Sequence, residues 1–316
     1  MKAPDTVLVT GASSFMGMHL SLAFNKAGYK VIAAHSRSLE SYDGVQKQRL
    51  ETLKNVVGLV TLDLTSQVQV ASILRTKRPQ LLVHHAGYAT NYASYDYDFC
   101  KSIEVNVKPL SYIYPVLQEI GSSIIITGSS AEYSSSDGPN HEDDVCWPDT
   151  PYGVSKLMET VMARQLAFRY NIPTRVARLY LPYGVFDNPQ KLLPQVVSSL
   201  RQGRSIDLSP CDQKRDFILA DDAAQIYLAL AEDMPRQLFD VFNVGSGEAI
   251  ELKQFLLVLA HEMNADPELL KFGARERRPG EPEFSYGSAE KVRQILNHQV
   301  PKWDKSLAAN WRVLAE

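Results

Sequence analysis

The chain has little with which to build a disulfide framework or a metal cage. Only three of its 316 residues are cysteine, and Cys100, Cys146 and Cys211 are odd in number and far apart, without paired zinc-ligand spacing. We therefore expect no metal site and a reducing, cytoplasmic compartment. No apolar run approaches the roughly 20 residues that span a bilayer, and the opening MKAPDTVLVT lacks the long apolar core of a signal peptide. Charge of one sign is also missing: 33 Lys and Arg stand against 36 Asp and Glu, for a formal net charge of -3. Neither nucleic acid nor a membrane is therefore an expected partner. Internal repeats and low-complexity stretches are absent.

What remains is an ordinary globular composition, 45% hydrophobic and 22% charged, in a chain long enough for one large or two modest domains. Short β-branched runs alternate with longer amphipathic stretches, the pattern of βαβ units on a parallel sheet. Strands are expected at 6–9, 30–34, 57–61, 81–84, 123–127 and 174–179, and helices at 16–27, 67–76, 99–120 and 152–170. After Pro182 the rhythm changes to FDNPQKLLPQVVSSLRQG, a helix behind a proline-rich loop, and later to the Gly/Pro/Arg-rich FGARERRPGEPEF. The fold class expected is α/β: a Rossmann-type doubly wound parallel sheet over 1–180. Residues 181–316 form a smaller substrate-binding lobe, with some segments returning to the sheet.

The stretch VLVTGASSFMG aims a strand at the start of a helix, whose unpaired amides and positive dipole end favour a phosphate. Gly11 permits the tight turn and Gly17 the close packing of helix on strand, but Ser14 stands where a third glycine is usual. Serine is small enough to be tolerated there and brings a hydroxyl. An ordinary structural turn is the plain alternative. Asp63, after the third strand, can accept from an adenine amino group or cap a helix. The small residues of VHHAGY let a cofactor backbone pass the fourth strand, or simply form a turn.

PYGVSK sets Tyr152 and Lys156 four apart, on one face of a helix. A phenol is a poor acid or base at neutral pH, and a neighbouring ammonium lowers its pKa. Upstream, ITGSSAEY supplies the hydroxyls of Ser129 and Ser130, suited to hold a carbonyl or alkoxide oxygen beside the phenol.

With these residues the chain resembles the short-chain dehydrogenase/reductase superfamily, specifically its extended branch of nucleotide-sugar epimerases, dehydratases and reductases. The likeness runs through residues 10–17, Asp63, His85, Ala86 and Gly87, Asn106, the Ser129 strand, Tyr152 with Lys156, RLYLPYG, QKRDFILADD and RRPGEP. It implies that Ser129, opening a Ser-x-x-x-Tyr pattern that ends at Tyr133, is the catalytic hydroxyl. By the same resemblance Tyr152 exchanges the proton, Lys156 also binds the nicotinamide ribose, and Asn106 supports the active-site helix. The implied cofactor site comprises Gly11, Ser14, Phe15, Met16, Gly17, Asp63, Leu64, His85, Ala86, Gly87 and Tyr180. Ser130, Leu181, Arg215, Arg278 and Glu281 face the substrate, the arginines holding a diphosphate and nucleoside unless they form surface ion pairs.

Three departures refine the expectation. Family dehydratases place an acidic pair directly after the catalytic hydroxyl, whereas here Ser130 and Ala131 follow and Glu132 is displaced by one, which speaks against a 4,6-dehydratase. Leu181 replaces an asparagine whose amide touches the sugar diphosphate. The second strand ends without a carboxylate, and Ser36, Arg37 and Ser38 suit a 2′-phosphate, favouring NADP(H) over NAD(H). His35 beside them is expected as an exposed loop histidine. The function expected is reduction of the 4-keto group of a nucleotide-linked deoxysugar by a homodimer that pairs through segments 99–120 and 152–170. The alternatives are an NAD-dependent 4-epimerase using the same residues and a non-catalytic cofactor sensor.

Overall fold

The computed structural model describes residues 5–234, 236–277, 281–296, 303, 304 and 307. Its centre is a parallel sheet of β1 (Thr6–Thr10), β2 (Lys30–His35), β3 (Gly58–Thr61), β4 (Leu81–His84), β5 (Ser123–Ser129), β6 (Thr174–Leu179) and an edge strand, Phe239–Val244. In space they run β3-β2-β1-β4-β5-β6 and then the edge strand, every neighbouring pair parallel. Growth of the sheet reverses between β1 and β4, which opens a crevice at their carboxyl ends, beside Thr10 and His84.

The central strands β1, β4 and β5 read as nearly continuous apolar runs because both faces are covered. Val7 and Val9 face a core shared with helices Phe15–Lys26 and Ala220–Asp233. Leu8 faces the opposite core, with helices Gln67–Lys77, Leu110–Ile120 and Pro151–Tyr170. The helix expected over 99–120 is broken: a short turn, Phe99–Ser102, passes into a π-helical turn, Ile103–Val107, before Leu110–Ile120. Pro109 has no N–H to continue the ladder, and the wide turn ahead of it carries Asn106 inward. Helix Gly44–Lys54 and the edge strand are additions to the expected set.

The smaller lobe is built on helices Leu192–Arg201 and Leu252–Glu262, packed around Tyr183, Phe217 and Phe255. Asp216 ties it to the sheet. Its buried carboxylate accepts from Ser246 N at 2.6 Å, Ser246 Oγ at 2.7 Å and Gly247 N at 3.0 Å, just beyond the edge strand. A second tie is His19 in the first helix, which meets Asp221 at 2.7 Å and Val185 O at 3.1 Å. Among the described residues no helix is long and apolar enough to cross a membrane, and no group of three or more His, Cys, Asp or Glu could hold a metal ion.

Candidate active site

Gly11 has φ +78°, and a Cβ there would lie 3.0 Å from the backbone of Ala86, so the β1 loop and the β4 turn are in contact. Gly17 is tighter still, since its Cβ would stand 2.1 Å from Gly11 O. Ser14 answers the question of the missing glycine. It caps the first helix, its Oγ accepting from Gly17 N at 3.0 Å, so the side chain folds back onto the helix instead of standing out from the loop. Buried Phe15 and Met16 begin the helix, where first-turn amides have no partner within it. The loop therefore fits a dinucleotide pyrophosphate. Thr10 Oγ1 accepts from His85 N at 3.1 Å and Ala86 N at 3.0 Å, which fixes the β4 turn beside it.

Beyond β2, Ser36, Arg37 and Ser38 are exposed, but His35 is buried as the last strand residue, its Nδ1 bonded to Arg37 O at 2.7 Å. The expected exposed loop histidine is thus corrected: the strand runs one residue further than expected. Tyr42, which sequence reasoning missed, organises this tip. Its hydroxyl accepts from Ser36 N at 3.1 Å and Arg37 N at 3.2 Å, while the Arg37 guanidinium lies 4.4 Å from its ring centroid. Asp63 is exposed and accepts from Thr65 N and Oγ1; Ser66, not Asp63, caps the following helix. Leu64 is buried, and its carbonyl accepts from Tyr112.

β5 ends at Ser129, whose Oγ accepts from Ala131 N at 3.2 Å while Glu132 Oε1 accepts from Ser129 N at 2.9 Å. This reciprocal cap turns the chain sharply and leaves Ser130 half-buried. The Pro151–Tyr170 helix, capped by Thr150, carries Tyr152 and Lys156 toward the same point. Burial raises the Tyr152 pKa, against the pull of Lys156 and of the Ser129 hydroxyl, so the phenol is protonated at neutral pH. Tyr92 and Tyr97 flank its ring edge-on, with centroids 5.6 Å and 5.8 Å away. Lys156 Nζ donates to Thr127 O at 2.7 Å and to Glu159. Burial, helped by Lys156, pushes His84 down to about 3 and His85 to about 4, so both are neutral.

Glu132 is fully buried, accepting from Arg178 Nε at 2.9 Å and Thr160 Oγ1 at 2.8 Å. Asn106 clamps the Tyr88 peptide, its Oδ1 accepting from Tyr88 N at 2.6 Å. Tyr133 is buried, with its hydroxyl on Asn243 Oδ1 at 2.8 Å.

The model of the NAD dependent epimerase/dehydratase family matches residues 7–245. The chain belongs to this family. A dTDP-4-dehydro-6-deoxyglucose reductase of Escherichia coli is 31% identical over 175 residues, 54% of each chain, so that alignment spans about half of the relative. A CDP-abequose synthase of Salmonella typhimurium is 26% identical over 295 residues, 92% of each chain. Two solved epimerase/dehydratase folds superimpose with TM-scores of 0.84 over 98% of both chains. They are a UDP-glucose 4-epimerase of Thermotoga maritima with UDP-glucose, 19% identical, and a UDP-glucuronic acid 4-epimerase of Bacillus cereus with UDP-glucuronic acid and NAD, 20% identical.

The smaller lobe carries the remaining candidates. Arg215 and Glu281 meet at 3.1 Å, and the two terminal nitrogens of Arg215 are taken up by this pair and by the carbonyls of Lys214, Pro282 and Glu283. Arg278 lies outside the described residues. Its neighbour Arg277, in the basic run RERR, meets Asp212 Oδ1 through Nη2 at 3.6 Å and repels the Arg215 charge. Leu181 is partly exposed, whereas the Tyr180 ring is buried, its hydroxyl 3.4 Å from Asn140 Oδ1. Arg49, also missed, donates to Ser13 O in the β1 loop and to Phe186 O in the smaller lobe.

Proposed function

We propose that the chain is an NADP(H)-dependent reductase of the 4-keto group of a nucleotide-linked deoxysugar. The observation that carries this reading is the Tyr152 phenol set beside the Ser129 hydroxyl and the Lys156 ammonium at the end of β5. Bound NADPH supplies the hydride. As negative charge grows on the carbonyl oxygen, Tyr152 donates its proton to it, the Ser129 hydroxyl holds it by a hydrogen bond, and Lys156 stabilises the phenolate left behind. The buried, fully paired Glu132 supports the absence of a proton-abstracting acid, so a dehydratase step is not part of the reading.

Gly11, Ser14, Phe15, Met16 and Gly17 would hold the pyrophosphate, Asp63 and Leu64 the adenine, and His85, Ala86 and Gly87 the middle of the cofactor. Tyr180 would act as a wall of the same crevice. Ser36, Arg37 and Ser38 would take the 2′-phosphate, mainly through side chains, because Tyr42 already occupies the Ser36 and Arg37 amides. On the substrate side Ser130 would reach the sugar and Leu181 would offer an apolar contact. Arg215, Arg278 and Glu281 would flank the nucleoside diphosphate, with the Arg277 charge beside Arg215. The activities named for the reductase and synthase relatives support a deoxysugar nucleotide.

Assembly as a homodimer is part of this proposal. Met158, Val161 and Phe168 project from the Pro151–Tyr170 helix with 39%, 60% and 56% exposure, an apolar stripe that a second copy would cover. The three free cysteines accord with a reducing cytoplasm. The test supplies dTDP-4-dehydro-6-deoxyglucose with NADPH and follows loss of cofactor absorbance. Turnover with stoichiometric NADP⁺ supports the reductase. Conversion of a nucleotide hexose to its C4 epimer without net cofactor change establishes a 4-epimerase instead, and retention of cofactor without turnover establishes a sensor.

A further inference from the structure

One turn beyond Lys156 the same helix carries a second buried ionisable group, Glu159, only 1% exposed, whose Oε2 accepts from Lys156 Nζ. A carboxylate so deep is costly to keep charged unless it is paired. The groups that feel its charge come from several elements. They are Lys156 and Tyr152 on its own helix, Tyr114, Tyr227, and Glu132 in the turn after β5. His84 in β4 faces its other oxygen, with Nε2 3.9 Å from Oε1, while His85 stands beside His84 and also feels the Lys156 charge.

Hydrogen-bond accounting orients that histidine. Thr10 Oγ1 accepts from two amides, His85 N and Ala86 N, so its own proton goes to His84 Nδ1 at 3.3 Å. The imidazole proton then sits on Nε2, directed at Glu159, across a gap too long for a hydrogen bond. The ammonium of Lys156 has three donors, of which Thr127 O takes one and Glu159 another. One remains.

Resting on the reading of Lys156 as the partner of Tyr152, we propose that Glu159 is a positioning residue for Lys156. It anchors the ammonium against Thr127, leaves the third donor for the phenol and cofactor side, and supplies the counter-charge nearest to a buried lysine. Burial pulls the Lys156 ammonium down, and Glu159, joined by Tyr152 and Glu132, more than reverses this. The same negative charge raises Tyr152. Burial in turn pushes Glu159 up to about 7, with Lys156 opposing.

The sign of the consequence is fixed. Ketone reduction needs Tyr152 and Lys156 both protonated, and removing the Glu159 charge lowers the pKa of both. In Glu159→Gln the alkaline limb of kcat/KM for NADPH-dependent reduction of dTDP-4-dehydro-6-deoxyglucose should move to lower pH by about one unit or more. A merely structural residue would lower stability and leave that limb in place. An unmoved limb, or one moved to higher pH, overturns the proposal.

A substrate-free cycle covers the case in which this variant does not fold. Lys156→Met leaves Glu159 buried and unpaired, whereas Lys156→Met with Glu159→Leu removes both charges. At pH 8 the double variant should unfold at a higher urea midpoint than Lys156→Met. An equal or lower midpoint overturns the proposal. If the cycle behaves as expected while wild-type protein turns over no 4-keto sugar, the functional reading fails while the Lys156–Glu159 pairing stands.

Discussion

Glu132 and Arg178 form an ion pair at 2.9 Å with the carboxylate fully buried and the guanidinium nearly so. Three residues after the candidate catalytic hydroxyl, the acid that the sequence sets out of register for a dehydratase is committed to holding β5 against β6. Glu132→Gln should accordingly cost stability, about 3 kcal/mol, because Arg178 loses its counter-charge in the interior. Turnover per folded molecule should change only a few-fold. Urea unfolding together with active-site-normalised kinetics checks this, and a loss of a hundredfold or more in kcat at unchanged stability would return Glu132 to the chemistry.

Cofactor choice should depend on Arg37. A charge-assisted contact contributes about 1.5 to 3 kcal/mol, so NADPH should bind roughly ten- to a hundredfold more tightly than NADH, and Arg37→Ala should remove most of that difference. Tyr42→Phe frees the Ser36 and Arg37 amides and is expected to alter the preference less than loss of the guanidinium. Titration calorimetry with both cofactors decides. Equal or tighter NADH binding by the wild type contradicts the assignment.

His84 makes stability depend on pH. Its folded pKa is about 3 against an ordinary 6.5, so below pH 6.5 the unfolded chain takes up a proton that the folded chain refuses. Its contribution is therefore fully present above about pH 6.5 and declines as pH falls toward 3. Compared with His84→Gln, which does not titrate, the wild type should lose about 2 kcal/mol between pH 7 and pH 5. Paired denaturant titrations at the two pH values measure the difference, in which groups common to both proteins cancel.

Tyr152→Phe keeps the ring between Tyr92 and Tyr97 and removes only the proton donor. Turnover should fall by a hundred- to ten-thousandfold, as is typical for general acid catalysis, with cofactor affinity retained. Lys156→Met should weaken both. Stopped-flow turnover and cofactor titration separate the two outcomes.

β1 to β6 were legible because buried parallel strands are short apolar runs between turn signals, and Ser129, Tyr152 and Lys156 because their spacing is local to one strand end and one helix turn. The edge strand Phe239–Val244 was not, since it returns to the sheet after a whole lobe has intervened. Helix Gly44–Lys54 buries only Arg49, Leu50 and Leu53, too few apolar positions to mark a helical stripe. No local sequence pattern assigns the roles of Arg49, Tyr42, Glu159 and Arg277. Their roles depend on neighbours supplied by other elements: Ser13 and Phe186 for Arg49, His84 for Glu159, Arg215 for Arg277. Ser14 shows the same limit at short range, because a capping hydroxyl and an intruding side chain look alike until the helix start is placed.

The central claim is that this site passes hydride to C4 of a deoxysugar nucleotide and a proton from Tyr152 to its oxygen. The most direct measurement incubates wild-type protein with dTDP-4-dehydro-6-deoxyglucose and NADPH deuterated at the transferable position, then locates the label in the product by NMR. The account predicts one deuterium at C4 for each NADP⁺ formed, with both signals lost together in Tyr152→Phe. Unchanged 4-keto sugar with no NADP⁺ formed, or a product without deuterium at C4, would contradict it.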